Sequence, residues 1–214
     1  NTIITVTKHK NLTYYMSFVF LLASFISFSQ VKDTTKVNQL DEVLVSAVRV
    51  TSKTPVSFSN LTKNEIKSRN LGQDIPILMN YLPSVVTTSD AGNGVGYTGI
   101  RVRGSDATRV NVTINGIPYN DSESHGTYWV NMPDFASSLE SIQLQRGVGT
   151  STNGAGAFGA SLNMLTDSYA KKATGEISNS IGSFNTHKHT VKFSTGLMND
   201  HFEIAGRLSA LKSD

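Results

Sequence analysis

Residues 146–160 read RGVGTSTNGAGAFGA, and within them Gly154-Ala-Gly156-Ala-Phe-Gly159 matches G-x-G-x-x-G letter for letter. A phosphate cradle of that pattern needs its first glycine directly behind a strand, a helix after it, and an acid about 20 residues on. Here Gly154 lies eight positions beyond Arg146, the end of the alternating run Ser141–Arg146 (SIQLQR). The residues that follow, Ser161–Thr166 (SLNMLT), alternate like a strand and not like a helix. The glycines therefore read as a tight connection between two strands, where small residues let backbones approach closely. A nucleotide-binding enzyme is set aside.

Working outward, composition narrows the class. Charged residues make up 16% of the 214, below the roughly 25% usual in soluble domains. No cysteine is present, which excludes a disulfide scaffold, a thiolate zinc site and a cysteine nucleophile. Lys8 and Lys10 precede the apolar run Tyr14–Phe28, and Ser27 and Ser29 stand at −3 and −1 to Gln30. Those features predict a secretory signal peptide over residues 1–29, since the run is short of the roughly 20 residues of a spanning helix. Its removal would leave seventeen basic against sixteen acidic residues, so the nominal pI near 9.1 owes much to that segment. A near-neutral remainder gives no support for nucleic-acid binding.

Residues 31–38 are polar and aperiodic, a leader to the apolar segment Leu40–Val50 (LDEVLVSAVRV). That segment reads either as a buried strand or as an extended peptide able to add to a sheet edge. Thr62-Lys-Asn-Glu65 has capping-box spacing and predicts a helix through Arg69; Asp74 opens a second helical stretch carrying Ile77, Leu78, Tyr81 and Leu82, stopped by Pro83. Short strands are predicted over 85–88, 99–103, 110–114, 141–146 and 161–166, with Asn115-Gly116 as a hairpin turn and Asp134 capping a short helix. Two long loops intervene, Ser89–Thr98 and Pro118–Pro133. Beyond Asp167 the pattern changes to longer alternating segments over 175–183, 186–195 and 202–211, with Met198-Asn-Asp200 as a turn, like the hairpins of a barrel.

Three segments in this order resemble the N-terminal part of a TonB-dependent outer-membrane receptor. Asp41-Glu42-Val43-Leu44-Val45-Ser46-Ala47 is similar to the family's Ton box. Ile100-Arg-Val-Arg-Gly104 leading to Val112–Pro118 is similar to a plug motif, although Val102 splits its arginines and Asn115 replaces the commoner Asp. Leu139–Gly147 through Asn153–Thr166 is similar to a second plug motif, with Asn153 where Tyr usually stands. The resemblance implies an α+β plug, a small mixed sheet with short helices, followed by the first antiparallel strands of a transmembrane β-barrel. Its domains would be a signal peptide (1–29), a flexible leader and Ton box (30–50), a plug (51–168) and the start of the barrel (169–214), the whole being the N-terminal part of a larger protein.

The implied function is active import across the outer membrane of a scarce nutrient, most often an iron–siderophore or similar metal chelate. TonB would pull the Ton box from the periplasm, outer-membrane lipid would surround the barrel, and no enzyme activity, cofactor or nucleic acid is implied. Cobalamin or haem receptors of the same family, or an adhesion or signalling receptor, are the alternatives. Tyr97, Tyr119, His125, Tyr128 and Trp129 are candidate substrate contacts, because aromatic area combined with polar tips suits an organic chelate. Tyr128 and Trp129 read equally as anchors of their loop. Arg101, Arg103, Arg109, Arg146 and Glu140 are candidate ion-pair residues between plug and barrel wall. His187 and His189, two apart on one strand, read as lumen- or rim-facing polarity and not as a metal site.

Overall fold

The computed structural model describes residues 49–149 and 157–214. The expected signal peptide, the Ton-box segment 41–47, Gly154 and Gly156 lie outside the described residues. In chain order the elements are β1 (Phe58–Thr62), α1 (Lys63–Arg69), α2 (Ile75–Leu78), β2 (Val85–Ser89), β3 (Thr98–Val102), β4 (Val110–Ile114), β5 (Ile117–Pro118), β6 (Leu139–Arg146), β7 (Ala160–Thr166), β8 (Thr174–Gly182), β9 (Thr186–Ser194) and β10 (Ala205–Lys212). Three 3-10 turns add Ala107–Arg109, Trp129–Asn131 and Phe135–Ser138.

A five-stranded mixed sheet in the order β1-β6-β7-β4-β5 forms the centre. β6 and β7 are antiparallel, with Arg146 opposite Ala160, so the glycine-rich stretch connects two neighbouring antiparallel strands. A dinucleotide cradle needs a parallel crossover at that point; the one parallel pair described is β4 with β7. Gly147 closes onto the end of this connection, its N–H donating to the Gly159 carbonyl at 2.8 Å, and Gly159 N–H donates to the Arg109 carbonyl at 2.8 Å.

Alternation gives the sheet two chemically different faces. Leu61, Ile142, Leu144, Leu162, Met164, Val110 and Val112 share one face by register. They join Ile66, Ile75, Leu78, Met79, Val85, Ile100, Val102 and Trp129 in a single apolar core. The other face carries Asn60, Gln143, Asn163 and Thr113 in one cross-strand row, and Gln145, Ser161 and Asn111 in the next. α1 forms as expected, with Thr62 and Glu65 closing the capping box and Ile66 buried. α2 ends after Leu78, well before Pro83. Tyr81 turns outward there and lies under the Arg69 guanidinium, 3.4 Å from its ring centre.

β8, β9 and β10 form a separate antiparallel meander. β10 begins at Ala205, later than the sequence suggests, because Met198 and Phe202 bridge each other around Asn199 and Asp200, both at positive φ. The face bearing Ser178, Ser180, Thr186, Lys188, Thr190, Lys192 and Arg207 is polar and meets Leu71 after α1, Asp134 and Ser137 before β6, and Asp167 after β7. The opposite face bears Ile177, Ile181, Val191, Phe193 and Leu208, with Ile177 74% and Leu208 76% exposed. Gly206 gives the Phe193 ring its seat, since a β-carbon there would stand 2.8 Å from the ring. A mixed sheet with short helices followed by antiparallel strands is the fold class that the sequence predicts.

Among the described residues of the glycine-rich connection Gly159 is the tightest point: an added β-carbon would stand 2.5 Å from Ser105 Cβ and 3.0 Å from the Arg109 carbonyl oxygen. Gly159→Val should therefore lower stability by about 1–3 kcal/mol, the range for overpacking. Gly175→Ala, where nothing lies within 4 Å, should leave it unchanged. Chemical-denaturation midpoints check the pair, and equal midpoints would show that the connection tolerates a side chain.

Candidate functional site

Three places bring chemistry together: the two long loops, the junction between the sheet and the meander, and the seat of the segment that enters β1. The loop Ser89–Thr98 is tied at its base by Asp74, whose N–H donates to Gly94 O at 2.9 Å and whose carboxylate accepts the Thr98 hydroxyl at 2.8 Å. Burial pushes the Asp74 carboxyl above its usual range, against the opposing bonds from Thr98 and Gly96. Tyr97, at the end of this loop, is 68% exposed.

The second loop is pinned by Asn120. Its Oδ1 accepts Val112 N–H at 2.7 Å, and its Nδ2 donates to the Val110 and His125 carbonyls, both at 2.9 Å. Asp121 folds the tip, accepting the Ser124 N–H at 2.7 Å and hydroxyl at 2.8 Å, and these bonds hold its carboxyl below the usual range. His125 sits at positive φ within that turn. Tyr119 and Tyr128 are exposed, whereas Trp129 is 3% exposed and packs into the apolar core. Trp129 therefore anchors the loop's far end and offers no open ring face.

At the junction, Asp134 is the centre. It follows the Trp129–Asn131 turn and takes a left-handed backbone, φ 50. One carboxylate oxygen accepts from Lys188 Nζ at 2.8 Å, Ser137 Oγ at 2.6 Å and Asn70 Nδ2 at 3.3 Å. The other accepts from Arg207 Nη1 at 2.8 Å, Thr190 Oγ1 at 3.1 Å and Ser209 Oγ. Both Asp134 and Lys188 are almost wholly buried. Burial alone would raise the Asp134 carboxyl; the bonds from Lys188, Ser137 and Ser209, with the charge of Lys188, outweigh it and hold the group below its usual range. A second tie runs through Asp167, bonded to Lys192 and to Lys63, which also meets Glu140 at 3.1 Å. Lys67 pairs with Glu176 at 2.7 Å.

The ion pairs across the junction thus differ from the expected set. Among the described residues Arg101, Arg103, Arg109 and Arg146 make no ion pair, and Glu140 pairs with Lys63. Arg146 is buried and donates to the Pro83 carbonyl at 2.9 Å and to the Ser57 and Ser59 hydroxyls, tying β6 to the chain around β1. Arg103 donates to the Arg146 carbonyl at 3.4 Å, while Arg101 and Arg109 lie near Asp106 and act on it through charge alone. His187 and His189 fall on the outward face of β9, opposite Lys188, at the end next to the β8–β9 turn. Each meets an asparagine, His187 with Asn185 at 2.9 Å and His189 with Asn179 at 2.6 Å. Among the described residues no three His, Asp or Glu side chains converge as metal ligands. Sequence reading missed the Asn120 pin, and it expected Asp134 to cap the short helix after it; Asp134 precedes that turn without a side-chain cap bond to the backbone and bonds instead to Lys188, Thr190, Arg207 and Ser209, on strands remote in sequence.

Asp134→Asn should weaken the junction by about 3–5 kcal/mol, the cost of leaving a buried charge unpartnered. Because the folded carboxyl titrates low, its contribution is complete above the unfolded Asp value, about 3.9, and is lost as pH falls through the lower folded value. Protection of the amides across 134–138 and 188–192 in the full-length protein, each rate referred to the intrinsic rate at the same pH, should be high at neutral pH and fall only in acid below about pH 4. The Asn variant should show low protection at both; unchanged protection would show that the carboxylate is not the tie.

Several solved structures share this fold. Over 75% of this chain the P. aeruginosa receptor FpvA, solved bound to heterologous pyoverdines, superposes with a TM-score of 0.61 at 16% identity. The alcaligin outer-membrane receptor FauA from Bordetella pertussis matches 73% of the chain with a TM-score of 0.55 at 19% identity, and the siderophore receptor PiuA from Acinetobacter baumannii matches 74% with 0.54 at 24%. This chain spans 21%, 27% and 20% of those receptors, respectively. No curated protein matches the sequence. The family model of the TonB-dependent receptor plug domain matches residues 50–161, just over half of the 214, and the chain belongs to that family.

Proposed function

We propose that this chain is the N-terminal part of an outer-membrane active transporter that imports an iron–siderophore or similar metal chelate, with TonB supplying the energy. The observation that carries this reading is the inverted polarity of β8–β10. Their polar face bonds to the plug through Asp134 and Asp167, and their other face presents bare Ile, Val, Phe and Leu. A sheet that is wet inside and oily outside suits the wall of a barrel in lipid. The family of the plug and the siderophore receptors that share its fold support the choice of cargo class.

In this reading residues 1–29 direct export, 30–50 form the leader and Ton box, 51–168 form the plug and 169–214 begin the barrel. Asp41–Ala47 would meet TonB in the periplasm by strand addition, in which backbone pairing supplies most of the affinity. Tyr97, Tyr119, His125 and Tyr128, on the two pinned loops, are the contacts for a chelate arriving from outside. Trp129 serves the same capture indirectly by fixing its loop. The work is binding and release, and no side-chain set is assigned to bond chemistry.

Growth of a deletion strain on single iron sources, with and without the full gene, tests the cargo. Restoration on a ferric chelate is the expected result; restoration only on haem, or only of cobalamin-dependent growth, would move the cargo within the family, and no restoration on any would sink the import reading. Capture of the full-length receptor by the periplasmic domain of TonB should be lost on Val43→Pro or Val45→Pro. Undiminished capture would remove the Ton-box assignment.

A further inference from the structure

The two residues that follow the proposed Ton box by one position, Arg49 and Val50, are seated on the polar face of the plug sheet. Val50 N–H donates to Gln143 Oε1 at 2.9 Å, and Gln143 Nε2 donates to the Val50 carbonyl at 3.0 Å. One side-chain carboxamide thereby gives Val50 the two bonds that a neighbouring strand would give. The carboxamide is itself held, since Nε2 also donates to Asn60 Oδ1 at 2.8 Å and Oε1 also accepts Gln145 Nε2 at 3.0 Å. Arg49 grips the same strands differently. Its guanidinium donates to Ser141 Oγ at 2.9 Å, to the Ser141 carbonyl at 3.3 Å and to the Asn163 carbonyl at 3.2 Å.

Among the described residues no carboxylate forms an ion pair with Arg49. A partly desolvated cation held by neutral oxygens gives up hydration without gaining a counter-charge, so return to water offsets much of what is lost on release. The surrounding face is under-bonded as well, because Asn163 Nδ2 and Ser161 Oγ are buried without a partner. Contrast the Asp134 junction, where two cations meet one buried carboxylate. The seat at residues 49–50 is the weaker of the two, and any pull on the chain before it loads Arg49 and Val50 ahead of β1.

We propose that Arg49 and Gln143 are positioning residues that set how readily residues 49–50, the chain just after the proposed Ton box Asp41–Ala47, leave the plug sheet, a role that rests on the Ton-box reading above. The seat is a clip of neutral hydrogen bonds, strong enough to dock the chain and weak enough to open under load. Its hold is graded by the charge placed opposite Arg49.

The test uses the full-length receptor with Val50→Cys as its single cysteine, since Val50 is buried and is held through its backbone, labelled without chelate by a water-soluble maleimide. Gln143→Leu and Arg49→Ala should each label several-fold faster than the parent. Ser141→Asp, which puts a carboxylate where Arg49 now meets a hydroxyl, should label several-fold slower. Opposite signs are what a clip gives and what general loosening does not. Equal rates in all variants, or acceleration in Ser141→Asp as in Gln143→Leu, would overturn the proposal. The labelling needs no TonB, so it separates failure of the clip from failure of the Ton-box assignment, which the Val45→Pro capture reads on its own.

Discussion

A buried carboxylate is the most heavily bonded of the ties between the plug and β8–β10. Asp134 lies in the plug, yet its strongest partners, Lys188 and Arg207, stand on β9 and β10. Two cations brought against a low-dielectric seam would repel each other and forfeit hydration unless a negative charge sat between them. The left-handed backbone at Asp134 aims the carboxylate outward while the 3-10 turn behind it leads directly into β6. Everything on either side follows from that placement: the Trp129 anchor before it, the central strand after it, and the polar lining of β9 across from it.

The same stretch of chain links the places where function is proposed. From Tyr119 the sequence runs through the Asn120 pin, the buried Trp129 and Asp134 into β6, and reaches Gln143 beneath Val50. This is covalent and packed continuity, which allows communication between loop and N-terminal seat without establishing it. The strand beneath Val50 belongs to the plug's packing, since Leu139, Ile142 and Leu144 of β6 are buried in the core.

Local chemistry was legible in the sequence, and long-range chemistry was not. Thr62 and Glu65 announced α1 because a capping box is complete within four residues. Asn115-Gly116 announced its turn because both residues tolerate the positive φ they adopt, 51 and 81. The alternation after Asp167 gave the meander for the same reason. The parallel pairing of β4 with β7 has no local signature, and neither do the partners of Asp134 on β9 and β10, which lie more than fifty residues further along the chain. The arginines drew attention through their number, but charge type says nothing of reach: Arg146 spends its donors on carbonyl and hydroxyl oxygens, and lysines make three of the four bridges that cross the junction. The helix expected from Asp74 stops after Leu78, and Tyr81, expected on its apolar stripe, lies instead beneath Arg69 at the surface.

The core and the junction with β8–β10 differ in their sensitivity to solvent. Cohesion resides in the Leu61, Ile142, Leu144 and Leu162 face, which is apolar and indifferent to moderate salt. Attachment resides in ion pairs and hydroxyl bonds, of which the partly exposed ones feel the competition of mobile ions. Ionic strength therefore acts on these exposed ties, much less on the buried Asp134–Lys188 pair and little on the interior, while urea acts on all three. A plug built this way can be loosened from its wall and remain folded.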